Sequence, residues 1–223
     1  MAQAGSEEII VDRRPSLDLD VHVVDKTQWM DADDAQPVKG FNNVSIRCKI
    51  AEATTVDDYG YPVGETSIVV LHQYFDAKRK KWSGDTASSE INPHAYVSIR
   101  TQDGVIHGLK DRFKTCIKSY LDQLVREKRP IPLAFLADRV YPDAICCLMA
   151  NGIRCVEKFA SIEDGEPMNV LMDAFRDADM STWAHRVPEF RQKAREMLQN
   201  LGVRLSDAPE DEPRSVGRPR KAA

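Results

Sequence analysis

The sequence predicts an α+β protein, a small antiparallel sheet with a covering helix followed by a small all-α module. Three observations predict it. Segments 44–50 and 67–75 carry strand patterns, the first alternating and the second rich in β-branched and aromatic residues. Residues 109–128 place apolar side chains at helical spacing. Residues 133–201 then divide into four or five short helical segments, one of them closed by Asn151-Gly152.

Taken in order, residues 1–36 read as an acidic arm. Nine acids and three bases fall in the first 34 residues, with no sustained period. Within it only LDLDVHVVD alternates in the manner of a strand. An α+β domain is expected over 37–128. In VSIRCKI, Val44, Ile46, Cys48 and Ile50 share one face, and SIVVLHQYF at 67–75 is expected to be the more buried strand. DDYGYPVGE between them is dense in turn formers and marks a loop. DAKRKKWSGD follows as a hairpin tip, HAYVSIRT as a further strand, and Asp103-Gly104 as a hairpin turn. In 109–128, Leu109, Phe113, Cys116, Ile117, Tyr120, Leu121 and Leu124 form one apolar stripe, and Arg129-Pro-Ile-Pro132 ends the helix.

The helical module spans 129–202. Tyr141-Pro142-Asp143 supplies a helix start, Ile145, Leu148 and Met149 its stripe, and Asn151-Gly152 its left-handed stop. Ile153 is then a buried anchor, and Val156, Phe159 and Ala160 continue on a second helix. Leu148 to Ala160, L-x-x-x-G-I-x-x-V-x-x-F-A, resembles the hairpin unit in the C-terminal domain of the α component of RNA polymerase, and in related helix-hairpin-helix folds. The segment Pro188 to Leu198 is similar to the closing helix of such modules, with Ala194 and Leu198 on its core face. The arrangement also resembles small accessory proteins of tailed bacteriophages, with Pro132-Leu133 and Phe135 at the entry. The resemblance implies a binding role. In its DNA-binding form, turn residues Asn151, Gly152 and Arg154 would meet a phosphate, helped by Arg191, Lys193 and Arg195. The chain departs from that form in having the single Gly152 instead of G-x-G, and His185-Arg-Val-Pro188 where a second glycine turn belongs. A packing or protein-docking module is the other reading.

Residues 203–223 read as a disordered, basic-ended tail. Gly217-Arg218-Pro219-Arg220-Lys221 has the G-R-P core of an AT-hook-like motif, in which an extended backbone lets two arginines enter a narrow minor groove. Glu210, Asp211 and Glu212 just before it compete for those arginines. The run Lys78-Arg79-Lys80-Lys81 with Trp82 has two readings, a solvated hairpin tip and a phosphate contact with a stacking aromatic.

The net charge of −4 is uneven: residues 1–107 carry 11 Lys/Arg against 17 Asp/Glu, and 108–223 carry 20 against 18. The C-terminal half is therefore the expected polyanion-facing part. No stretch reaches the roughly 20 apolar residues of a membrane span. The opening MAQAGSEEIIVDRRP lacks the apolar core of a secretory signal, and five cysteines suit free thiols better than a disulfide framework. Cys116, Cys146, Cys147 and Cys155 are expected to pack in helices as small hydrophobes. No phosphate-loop, dinucleotide, zinc-protease or serine-hydrolase motif is present, and the five histidines are scattered. No metal or cofactor is expected. The sequence thus points to a non-enzymatic binding protein in the host cytoplasm or a virion. Its partner would be a phage or host protein, with double-stranded DNA as a further one. A DNA-binding regulator and an enzyme are the alternatives.

Overall fold

A computed structural model of the chain describes residues 10–12, 20–33, 45–83, 87–97, 99–100 and 106–205. The α+β architecture expected from the sequence is present: a curled antiparallel sheet carries helices on one face. The sheet is built around two long strands, β4 (Ile46–Val56) and β5 (Ser67–Asp76), paired from Ile46↔Tyr74 to Ala53↔Ser67. β1 (Ile10–Asp12) pairs with β2 (Asp20–Asp25), and β2 pairs along its length with β4. β3 (Met30–Asp31) continues that side of β4. On the other side β5 pairs with β6 (Lys81–Trp82) and β7 (Ala87–Glu90). These first strands lie inside the stretch 1–36 that reads in sequence as an arm.

Period two sorts the residues of β4 and β5 between two faces. Ile46, Cys48 and Ile50 on β4, with Ile68 and Val70 on β5, belong to the main core. Arg47, Lys49, Ala51 and Ala53 lie on the opposite face, beside Gln73, Leu71, Val69 and Ser67 of β5. There Val23, Ala51 and Leu71 form a small second cluster, edged by Val21, Trp29, Ala53 and Val69. β5 is less buried than its composition suggests, because only Val70 and Leu71 are buried and the rest of the strand is half-buried.

Two elements differ from the sequence expectation. The strand expected over 94–101 is in its first part a short helix, α1 (Pro93–Tyr96). Asn92 causes this: its side-chain oxygen accepts from the Ala95 N–H at 2.8 Å, and Pro93 sits at the first helical position. β8 (Ile99–Arg100) pairs with β9 (Ile106–His107), while Asp103-Gly104 lies outside the described residues. The helix expected over 109–128 is two pieces, α2 (Leu109–Arg112) and α3 (Lys114–Glu127). Phe113 between them leaves helical geometry (φ −129°, ψ 27°) while burying its ring in the core. The end of α3 is set by Lys128 in the left-handed conformation, before Pro130 is reached.

The helical part comprises a 3-10 helix (Leu133–Asp138), α4 (Pro142–Ala150), α5 (Val156–Ser161), α6 (Glu166–Asp177), α7 (Ser181–Ala184) and α8 (Val187–Asn200). Gly152 ends α4 at φ 77°, and Ile153, Val156, Phe159 and Ala160 are buried beyond it. Ala194 and Leu198 of α8 face inward, as do Leu133 and Phe135. The main core runs without a break from Cys48, Ile50 and Val70 through α3 to Phe135, Phe159 and Phe190. Its polar seams are paired: the Tyr120 hydroxyl donates to Glu52 at 3.2 Å, and Arg129 donates to the same carboxylate at 2.5 Å. Buried Glu157 accepts the Ile131 N–H and so ties the 129–133 connection to α5.

Candidate binding surfaces

The residues that could meet a partner fall in three places: the turn between α4 and α5, the two tips of the β4–β5 pair, and the sheet face opposite the helices.

At the turn, the residues expected to face a phosphate are close together, but most of their polar groups are engaged within the chain. The Asn151 amide donates to the Cys147 carbonyl at 2.9 Å, and Lys158 donates to the Gly152 carbonyl at 3.1 Å. Arg154, exposed, is ion-paired with Glu65. On α8, Arg191 is only 6% exposed and its guanidinium points inward. It donates to the Ile162 carbonyl at 2.7 Å and to Asp164 at 2.6 Å, leaving its Nε buried without a partner. Arg195 donates to the Ala160 carbonyl at 2.9 Å, and Lys193 pairs with Glu189 at 2.9 Å. These arginines cap the last carbonyls of α5, which a short helix leaves unpaired. Lys193 and Arg186 together hold the Glu189 carboxyl at about 2, Arg186 being the larger influence. Gly217, Arg218, Pro219, Arg220 and Lys221 lie outside the described residues.

The loop between β4 and β5 is short of side-chain cover and rich in backbone bonds. Asp57 Oδ1 accepts the N–H groups of Tyr59 and Tyr61, both at 2.9 Å, and the Asp57 N–H donates to the Tyr61 carbonyl at 2.9 Å. Gly60, at φ 80°, makes that reversal, and the Val63 N–H returns to the Thr55 carbonyl at 2.6 Å. The loop thereby presents Tyr59 (85% exposed), Tyr61 (69%) and Val63 (51%) to solvent. Its Glu65 is the partner of Arg154, so this tip and the α4–α5 turn adjoin.

At the other end of β5, residues 77–80 turn into β6, with Asp76 Oδ1 accepting the Lys78 and Arg79 N–H groups at 2.9 and 3.1 Å. Those bonds, Arg79 first, hold the Asp76 carboxyl below its usual range. Lys78, Arg79, Lys80 and Lys81 are all exposed, and Lys80 adopts a left-handed φ of 51°. From this tip Trp82 returns to the sheet face. There the Arg47 guanidinium lies 4.4 Å from the Trp82 ring centroid and 4.8 Å from that of Trp29. Gln73 fixes the guanidinium by accepting from its Nε at 3.0 Å and Nη2 at 2.7 Å. Phe75 meets Trp82 edge-on at 5.4 Å, and Lys49 lies over Trp29 at 4.8 Å while paired with Asp25. Sequence reading missed Trp29, Arg47, Lys49 and Gln73 as a group. The alternation that put Ile46, Cys48 and Ile50 on one face already placed Arg47 and Lys49 together on the other.

Of the four thiols expected to pack in helices, Cys116 and Cys147 do so, Cys155 is buried but precedes its helix, and Cys146 departs from expectation. Cys146 is exposed, whereas Cys48, Cys116, Cys147 and Cys155 are buried; Cys155 lies just before α5, its backbone paired with that of Pro132. His94, distant in sequence, lies 3.7 Å from Cys146 Sγ and 3.5 Å from Asp143 through the same Nε2, so it cannot relay a proton between them. Burial and Asp143 raise the Cys146 thiol above its ordinary value, opposite to what a nucleophile needs. Among the described residues, no group of three or more His, Cys, Asp or Glu is placed to hold a metal ion, and no helix is long and apolar enough to cross a membrane. Compared with family models, with curated proteins and with solved structures, the chain matches none.

Proposed function

We propose that this chain is a non-enzymatic accessory protein of the tailed-phage type, which works by docking another protein. The observation that supports this reading is the 57–65 tip. Two tyrosines and a valine stand exposed on a loop whose backbone is held by its own hydrogen bonds, so little ordering entropy is lost when a partner covers them. Tyrosine and arginine are the residue types that concentrate binding energy at protein interfaces, and Arg154 adjoins the tip. Exposed Asp58 flanks the aromatic centre while Glu65 is paired with Arg154, which suits a partner that is apolar in the middle and carries a cation opposite Asp58.

The engaged arginines of α8, Arg191 and Arg195, favour packing over phosphate binding for the helical module. DNA contact through Asn151, Gly152, Arg154 and Lys193, or through the GRPRK tail, is the second reading. A pull-down from the lysate of the producing cell, run with the native chain and with Tyr59→Ser/Tyr61→Ser, tests the first. A partner retained by the native chain and released by the double variant supports docking through the tip. Equal retention by both overturns it.

A further inference from the structure

The sheet face opposite the helices is separate from the 57–65 tip and carries a chemistry of its own. From its geometry we infer that this face, with the 77–81 tip, is a binding platform for single-stranded nucleic acid. Trp29 and Trp82 come from opposite edges of the β4–β5 pair and are both partly exposed. Arg47 stands between them within 4.8 Å and 4.4 Å of the two centroids. Gln73 and Phe75 clamp that arrangement from β5, so two indoles are held at a set spacing on one face. Arg47 lies over both rings and Lys49 over Trp29, so an unpaired base, which a duplex keeps stacked inside itself, would stack on the part of each ring that stays exposed.

Charge is distributed to match. Lys49 is balanced by Asp25, and Asp31 stands across from Arg47, so the platform itself is close to neutral. The excess lies at its rim, where among the described residues Lys78, Arg79, Lys80 and Lys81 surround Asp76, which pairs with Arg79. The chain as a whole carries −4, so attraction of a polyanion must be local to this rim. Lys80 adds an independent sign. Its left-handed backbone would be relieved by glycine, yet a further cation of the run occupies the position. A strand whose phosphates track the tip and whose bases lie against Trp82 and Trp29 satisfies both features.

The test uses the full chain in a Trp183→Phe background, so that emission comes from Trp29 and Trp82. Oligo(dT), oligo(U) and a hairpin duplex are titrated at 50 and 200 mM salt. Four phosphate contacts on a single strand predict quenched emission and an affinity about fiftyfold weaker at the higher salt. Lys78→Ala/Lys80→Ala/Lys81→Ala, all solvent-exposed, should remove most of that salt dependence and at least about tenfold of the affinity at 50 mM. Its thermal midpoint should not fall. Binding of either oligonucleotide in this way supports the platform, and a preference between them names the sugar. No binding at 50 mM salt, duplex binding as tight as single-strand binding, or binding with unchanged emission overturns it. Failure here leaves the Tyr59/Tyr61 docking tip untouched, because that test reads a different surface.

Discussion

Arg47 of β4 and Trp82 of β6 meet at 4.4 Å across the intervening strand β5, and Gln73 of β5 holds the guanidinium in place from below. One arginine thus stitches three strands and both edges of the sheet face. Replacing Arg47 by Ala should cost about 1–2 kcal/mol in urea unfolding and shift tryptophan emission to the red as both rings gain water. Arg47→Lys should recover only part of this, since an ammonium neither stacks on an indole nor makes two parallel bonds to one amide oxygen. Equal stability of native chain and Ala variant would show that the stack is decorative.

Arg191 and Arg154, both named by the sequence as phosphate contacts, should behave in opposite ways. Arg191 is buried and bonded to Ile162 and Asp164, so Arg191→Ala should destabilise by about 2–3 kcal/mol through uncapped carbonyls and a void beneath α8. Arg154 is exposed and its ion pair with Glu65 lies in water, so Arg154→Ala should change stability by under about 0.5 kcal/mol. Chemical denaturation of the two variants side by side checks both.

His72 predicts a pH dependence. Burial first, and the nearby Arg112 charge second, lower its pKa from the ordinary 6.5, while its ring packs against Tyr74 and Phe113. The unfolded chain therefore takes up this proton before the folded chain does. The contribution of neutral His72 is present in full above pH 6.5 and is lost as pH falls from there to its lower folded value. The thermal midpoint should drop between pH 7.5 and 5.5, and His72→Phe should flatten that part of the profile.

Left-handed backbone positions give a paired test. Gly152 sits at φ 77° with open space where a Cβ would point, so Gly152→Ala should cost about 1 kcal/mol, conformational in origin. Lys80 sits at φ 51°, and Lys80→Gly should leave stability equal or raise it by up to about 1 kcal/mol. In thermal unfolding the midpoint should fall for Gly152→Ala and should not fall for Lys80→Gly.

The sequence alone determined what is local and periodic. Ile46, Cys48 and Ile50 alternate, Leu109 to Leu124 form a stripe, and Asn151-Gly152 stops α4, because hydrophobic period and left-handed turns are written in neighbouring residues. Tertiary structure decided the rest. The break at Phe113, which separates α2 from α3 while its ring stays in the core, shows in no period of the sequence. Arg191 could be read as outward-facing until α5 supplied carbonyls for it to cap. Trp29, Arg47 and Trp82 became one site only when β3, β4, β5 and β6 were laid side by side. The physical reason is common to all three. A one-dimensional pattern states which face of an element a side chain occupies, whereas the neighbour across that face comes from distant chain and is chosen by packing of the whole core.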